Sequence, residues 1–508
     1  MNKWRVAGLA VLTGLAVLLI LRSCSREPTP APTAESPVRE KFHAAKPLRI
    51  VVKDDAEWLS RELRNLLLRG RMRLAIDEPQ AAIFTLQIEL APESKALPAA
   101  AATPDQILTR RAANVALLAP DGAIERSTSL DLPTESRLAS IQELARKLPM
   151  FLEAAQGGAD WTTFLGTQDA AAYENFLLSA DEIFSATSAG FTQPPALLPP
   201  LTVDRLEALT RKQSKFARAW GLLALGYLSL GGEDEDSLTQ IAAAAAQRAL
   251  ALDPALANAQ SALGLASLRQ GQWIAAKEHF DAALELDADS VPSLEGTAAL
   301  LMNVGQARAA LPMARRAVDL QKTNVGANVN LAYAQFATGQ NVDADASNAI
   351  AEVARVKALV AILSNDMEGA RRVLLRAGSP PAAWAEPLLS AAEKQRKTAD
   401  ALRAITLAAN DRSIDPATEI LAGAALRQSE FVFNRMLRLH KQHQAVPLRI
   451  LWLPQTDFLR RHARFEQIVT AAALLPFWQE HGAPDVCTSE PQRYGCKQQS
   501  GTRAKKQN

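Results

Sequence analysis

Hydrophobic and polar positions follow two rhythms along this chain. Leu48, Ile50 and Val52 fall on every second position and predict a strand, Leu59, Leu63, Leu66 and Leu67 share one side of a helix, and Met72, Leu74 and Ile76 predict a second strand. Phe84, Leu86, Ile88 and Leu90 then alternate without a break. After an alanine-rich loop from about Leu97 to Thr103, Val115 to Leu118 and the turn Pro120, Asp121, Gly122 propose a hairpin. A helix carrying Ile141, Leu144, Leu148 and Leu152 follows. Residues 46–155 therefore predict a small α+β domain. Beyond it the period becomes helical: Ala242, Ala276, Ala310 and Ala344 recur on a 34-residue step, as do Ala249, Ala283, Ala317 and Ala351. Small residues on a fixed step mark where helices cross, because a larger side chain would force the backbones apart. A 34-residue step is long enough for one helix pair and predicts a stack of such pairs.

Leu263 and Gly264 in a first helix, Phe280 between Ala276 and Ala283 in a second, and Pro254 before the unit complete a pattern that resembles the tetratricopeptide family. The unit from Ala257 to about Ala288 is nearest to it. The preceding unit keeps Trp220, Leu223 and Tyr227, with about six extra residues around Gly231 to Ser237 that read as an inserted acidic loop. Units near Val291 and Val325 keep the alanines, the second also Leu331, but lack the large aromatic of the second helix. A fifth can be read through Ala370, Leu374 and Ala377, with a shortened first helix. The resemblance assigns 216–380 to the array and implies a superhelix whose first helices line a concave face. Exposed residues there, Asn258, Gln260, Asn328 and Asn330, are then the expected contacts for a protein or peptide partner, while Ala276 and Ala310 belong to the packing.

The chain has 508 residues, enough for two or three domains. Its net charge of +2 is dispersed, so no basic face for nucleic acid is expected. Residues 1–26 decide the compartment. Lys3 and Arg5 precede an uncharged apolar run from Val6 to Leu21, and residues 27–45 form a linker rich in proline. At about 1.5 Å per residue the run spans roughly 24 Å, a marginal membrane span unless Trp4 and Arg22 extend it. An uncleaved single-pass inner-membrane anchor is preferred because no small-x-small cleavage site follows. A cleaved secretory signal is a second reading. A lipoprotein signal ending at Cys24 is a third, from which Arg22 departs. All three place the bulk of the chain in the periplasm, with the prolines as a semi-rigid spacer. In that oxidising compartment Cys487 and Cys496, close together among polar and turn-forming residues, suit a disulfide; two unpaired surface thiols are the alternative.

Taken whole, the chain resembles the periplasmic portions of CadC-type transmembrane activators and of membrane cyclases that join a TolB amino-terminal-like domain to tetratricopeptide repeats. The residues are Asp169, Ala172, Tyr173, Phe176 and Leu177 in a helical linker, 156–215, and the ending Phe458, Leu459, Arg460, Arg464, Phe465, Phe477, Trp478, Gly482, Pro484, Asp485 and Cys487. Those proteins carry a cytoplasmic winged-helix or cyclase domain. Here only Met1 to Arg5 precede the apolar run, so direct transcriptional or catalytic output is not carried over. Residues 381–487 are expected to form further helical repeats and a hydrophobic cap in which Phe477 and Trp478 close the end of the helical stack, and 488–508 a tail.

A search for chemistry finds no phosphate loop, dinucleotide fingerprint, zincin motif or nucleophile elbow, so no catalytic residue, metal or cofactor is assigned. His440 and His443 have a spacing that would let them share a helix face, without an acidic or cysteine partner nearby. Glu233, Asp234, Glu235 and Asp236 read as a solvated loop. The expected function is a membrane-anchored periplasmic scaffold for protein–protein interaction. The alternative is a small-molecule sensor that signals through a separate membrane partner.

Overall fold

The computed structural model describes residues 48–53, 57–69, 83–91, 94–95, 109–152, 163–186, 198–230, 235–340, 350–375, 382–394 and 397–496. The expected strand at Met72 to Ile76, the loop from Leu97 to Thr103, the apolar run Val6 to Leu21, the linker and the last residues of the tail lie outside them. No helix among the described residues is long and apolar enough to cross a membrane.

The body is mostly helical, with a small sheet near the N-terminus. Strand β1 (Leu48–Lys53) pairs in parallel with β2 (Phe84–Leu90), and helix α1 (Glu57–Arg69) lies between them in sequence. Strand β4 (Thr109–Leu118) runs antiparallel to β2 on one side and to β5 (Ile124–Pro133) on the other, and a two-residue β3 (Ser94–Lys95) pairs with its start. The alternation decides the faces. Phe84, Leu86, Ile88, Ala113, Val115 and Leu117 are buried, against Leu59, Leu63, Leu66 and Leu67 of α1 and Ile141, Leu144 and Leu148 of α2 (Arg137–Phe151). Ser136 caps α2 by accepting from the Ala139 amide.

Two further helices, α3 (Ala170–Ala186) and α4 (Pro200–Lys212), lead into antiparallel pairs. These are α5 (Ala217–Ser229) with α6 (Glu235–Leu252), α7 (Ala257–Arg269) with α8 (Trp273–Leu286), and α9 (Val291–Asn303) with α10 (Ala307–Leu320). Next come α11 (Val325–Ala337), α12 (Ala351–Leu363) with α13 (Met367–Leu374), α14 (Ala385–Lys394) with α15 (Thr398–Asn410), and α16 (Pro416–Ala425) with α17 (Ser429–Lys441). Ala242, Ala249, Ala276, Ala283, Ala310 and Ala317 are completely buried at the crossings. Phe280 lies between α7 and α9, where a Cβ at Gly264 or Gly296 would come within 2.5 Å or 2.2 Å of its ring. One aromatic therefore serves two units. The unit around Val291 needs none of its own on that side, because Gly296 accepts the neighbour's ring.

The turns keep the same step. Gly271, Gly305 and Gly339 all have φ between 70° and 85°, the left-handed conformation that closes a helix, and each is followed by a glutamine. The amides of Gln272, Gln306 and Gln340 reach back to the carbonyls of Ser267, Leu301 and Gln335 at 2.8–2.9 Å.

Three expectations need correction. Ala351 does not continue the second-helix register: it opens α12 and is exposed. The unit around Ala370 has a full 13-residue first helix and a short second one, the reverse of the expectation. Glu235 and Asp236 form the first turn of the 18-residue α6 rather than a loop, where their charges oppose the helix dipole favourably. Replacing Ala310 with leucine is expected to lower stability by about 1–3 kcal/mol through overpacking; equilibrium denaturation of the two proteins measures it.

Candidate functional site

The first helices pack side by side, α5 on α7, α7 on α9, α9 on α11 and α11 on α12, with α12 touching α16, so they form one inner face. Strongly apolar helices such as α9 are buried all round, which means that something covers that face. The cover is the chain's own C-terminal part. A 3₁₀ helix, Leu448–Trp452, is buried along its whole length between α9 and α16. Arg449 donates from Nη1 to Asn330 Oδ1 at 3.2 Å, and its guanidinium stands 4.7 Å from the Tyr333 ring centroid. Burial raises the Tyr333 phenol to about 12, with Arg449 pulling the other way.

This arrangement overturns part of the expected contact set. Asn330 is completely buried, donating to the Glu295 carbonyl as well as meeting Arg449. Asn328 is buried too, and its amide donates to the carbonyls of Lys322 and Asn324 at 2.9 and 2.7 Å, which fixes the turn before α11. Neither is an exposed contact residue. Asn258 and Gln260 are half-buried on α7, and Gln260 Oε1 lies 2.9 Å from His279 Nδ1.

After Leu448–Trp452 the chain forms α18 (Asp457–Arg460), α19 (Phe465–Ala471) and α20 (Leu474–His481). Helix α19 rests on α17 and α20 on α8, so this segment joins the late pairs to the early ones. Indole N–H groups fix it to helix ends: Trp452 donates to the Asn303 carbonyl at 2.9 Å, Trp478 to Val304 at 2.8 Å, and Trp273 of α8 to Ala472 at 2.6 Å. Carbonyls at a helix C-terminus lack an intrahelical donor, and the tryptophans supply one. Asp485 does the reverse at the start of α10, accepting from the Arg308 amide at 2.8 Å, while its own amide donates to Gly305. Phe477 and Trp478 thus close the side of the stack, not its end. Cys487 and Cys496 are joined in a disulfide with Cα atoms 5.4 Å apart, and Gly495 packs against the Trp478 ring.

The opposite edge of the stack is held by α1. Arg69 pairs with Asp253 at 2.9 Å, and Arg64 with Asp287 and Asp289, all three aspartates lying in turns between pairs. Arg316 also pairs with Asp289, at 2.7 Å, and Arg61 with Asp181 at 2.7 Å. At the centre, buried Glu62 of α1 accepts from Arg218 of α5 at 2.6 Å and from the Tyr173 hydroxyl. The Arg218 guanidinium sits 4.6 and 4.7 Å from the rings of Phe164 and Phe176. Burial by itself would raise the Glu62 carboxyl, but the charge and hydrogen bonds of Arg218 outweigh it and the net shift is downward.

With both edges closed, a cleft of about 350 Å³ is left between the cap and the turns around Gly305 and Thr338. Its polar lining includes Arg308, Thr338, Asp457, Asp485, Ser489 and Glu490. A smaller hollow, about 80 Å³, lies between Glu235, Arg269 and His443. His440 and His443 do not share a helix face, because α17 ends at Lys441 and His443 has φ 56°; among the described residues no three His, Cys, Asp or Glu are placed to hold a metal ion.

Sequence reasoning passed over Glu62, Arg218, Arg449 and Trp452. For the two arginines a signal was present: Arg218 and Arg449 are lone charges in the apolar runs Phe216 to Leu223 and Val446 to Leu453, and a charge there requires a buried partner. No protein-family model matches the chain, and no curated protein matches it.

Proposed function

We propose that this chain is a non-enzymatic tetratricopeptide scaffold, anchored in the inner membrane with its bulk in the periplasm, that holds a protein or peptide partner. The observation that carries this reading is the stack of helix pairs on one 34-residue step, with glycine-closed turns and buried alanine crossings, since stacked pairs expose extended surfaces suited to partners. A sheet domain preceding the stack agrees with the resemblance to the CadC-type and cyclase group. The inner face around Asn330 is already taken by Leu448–Trp452, so the reading moves the partner to the rim. There the cleft combines exposed Arg308 with groups from the cap, and Asn258 is still accessible on α7.

The test is capture from envelope extracts by cross-linking, with Arg308→Glu and Asn258→Ala compared to the parent chain. Thermal unfolding should be nearly unchanged and capture by Arg308→Glu should fall about tenfold, equivalent to about 1.4 kcal/mol. Undiminished capture by both variants removes the rim from consideration. A phosphatase fused after Cys496 should be active, and inactivity would overturn the compartment.

The size and polar lining of the cleft also suit a second reading, a sensor for a small polar molecule that signals through a separate membrane partner. A compound that raises the unfolding temperature of the parent but not of Arg308→Glu would favour it.

A further inference from the structure

The rim cleft lies where the cap meets two consecutive repeat turns, and its charges divide into those already paired and those that are not. Glu490 is held by Arg460 and Arg493 at 3.2 and 2.5 Å, and Asp457 pairs with Arg461, so both carboxylates are neutralised within the protein. Arg308 and Asp485 remain. The exposed Arg308 guanidinium has no partner among the described residues. Asp485 accepts from the Arg308 amide through Oδ2 at 2.8 Å, and no donor among the described residues reaches its Oδ1. That amide contact brings the two residues together, so a lone cation and a half-satisfied carboxylate share one part of the cleft.

The neutral polar groups add to one side of this pair. A hydroxyl has a single proton to give. Thr338 Oγ1 donates its proton to the Ala334 carbonyl at 2.8 Å and Ser489 Oγ to the Val486 carbonyl at 3.2 Å, which leaves both hydroxyls with acceptor capacity alone. Together with Asp485 they suit a ligand group that carries several N–H donors. Arg308 offers the complementary fork of donors, which matches a carboxylate. The rest of the lining, Ala307, Ala337, Trp452, Pro454 and Val486, is apolar. Whole ligand classes are disfavoured as a result: a polyanion would meet Asp485, a diamine would meet Arg308, and a purely apolar molecule would desolvate both charges without pairing them. At about 350 Å³ the cleft is near the lower end of small-molecule sites, which run from about 300 to 1,000 Å³.

We infer that the rim cleft binds a zwitterionic α-amino acid with an apolar side chain, its ammonium on Asp485 and the hydroxyls of Ser489 and Thr338, its carboxylate on Arg308. This inference rests on the reading of the cleft as a small-molecule site and gives that site a ligand class. Isothermal titration calorimetry of the full-length chain tests it with three probes that share one carbon skeleton: L-leucine, 4-methylpentanoate, which lacks the ammonium, and 3-methylbutylamine, which lacks the carboxylate. L-leucine should bind about tenfold more tightly than either, because each partial probe leaves one charged group of the site unpaired. Asp485→Asn keeps an acceptor for the Arg308 amide and should bring L-leucine and 4-methylpentanoate to equal affinity. Arg308→Gln should do the same for L-leucine and 3-methylbutylamine. Both variants should keep the parent's unfolding temperature, and the probe series on the parent decides the matter without them. A single-charge probe that binds the parent as tightly as L-leucine overturns the inference, as does the absence of heat with L-leucine and L-phenylalanine alike. Glucose and succinate separate that failure from failure of the small-molecule reading. Binding of either that is lost in Arg308→Glu would leave a small-molecule site of another class and overturn the amino-acid inference alone, whereas no binding of any probe would remove both and leave the rim to a protein partner.

Discussion

Glu62→Ala is expected to destabilise the protein by about 3–5 kcal/mol, the range for removing one partner of a buried ion pair and leaving the other charge uncompensated. Arg218 would keep its place between Phe164 and Phe176 with no carboxylate, and the Tyr173 hydroxyl would lose its acceptor. Glu62→Gln separates charge from shape, since it retains an acceptor for Tyr173 while still removing the negative charge. The pH dependence has a definite sign. The folded-state carboxyl is depressed below its ordinary value, so its contribution is complete above the unfolded glutamate range and is lost as pH falls through the folded value. The stability gap between the parent and Glu62→Gln, measured by equilibrium denaturation, should be widest near neutrality and narrow under acid. A gap that is constant with pH, or one below about 1 kcal/mol at neutrality, would mean that the ion pair does not hold α1 to the stack.

What could be read in advance divides along physical lines. Periodic features were legible because they are local. Strand alternation at Phe84 to Leu90 and the alanine step through Ala310 each reflect a face that must be buried, and they are buried. The Gly-Gln turns at 271, 305 and 339 were equally periodic and could have been read from the same register. The loss of register after Ala337 was harder. Helix α12 begins 26 residues after the start of α11 instead of 34, and an alanine at position 351 imitates the expected seam.

The contact set failed for a different reason. Exposure of Asn328 and Asn330 was inferred from their place on a first helix, but whether an inner face is open depends on segments more than a hundred residues away. Arg449 meets Asn330 across 119 positions, and Trp478 meets Val304 across 174. No local pattern encodes such a pairing. The partial signal is chemical: a lone arginine in an apolar run, and an asparagine flanked by Val329 and Leu331, are both polar groups that must find partners if they are buried.

Trp452→Ala should cost about 3–5 kcal/mol, as expected for truncating a buried tryptophan. The side chain is packed edge-on against Trp478 and Phe465, with ring centroids 5.9 and 6.1 Å away, and its loss also leaves the Asn303 carbonyl without its indole donor. Because Trp452 contacts the cap and the repeat turns together, the damage should be directional. Amide hydrogen exchange should accelerate most in 446–496 and next at the inner face of α9 and α11, while β2, β4 and α1 on the far edge retain their protection. Arg449→Ala should give the same order at smaller amplitude, since Asn330 retains its bond to Glu295. If loosening the cap also raises capture of a partner in the cross-linking assay, the inner face is a binding surface held closed by the chain itself. Unaltered capture with a loosened cap would make the segment a permanent part of the core and leave the rim cleft as the binding surface. Uniform loss of exchange protection across both edges would instead mean that the cap and the stack unfold as one unit.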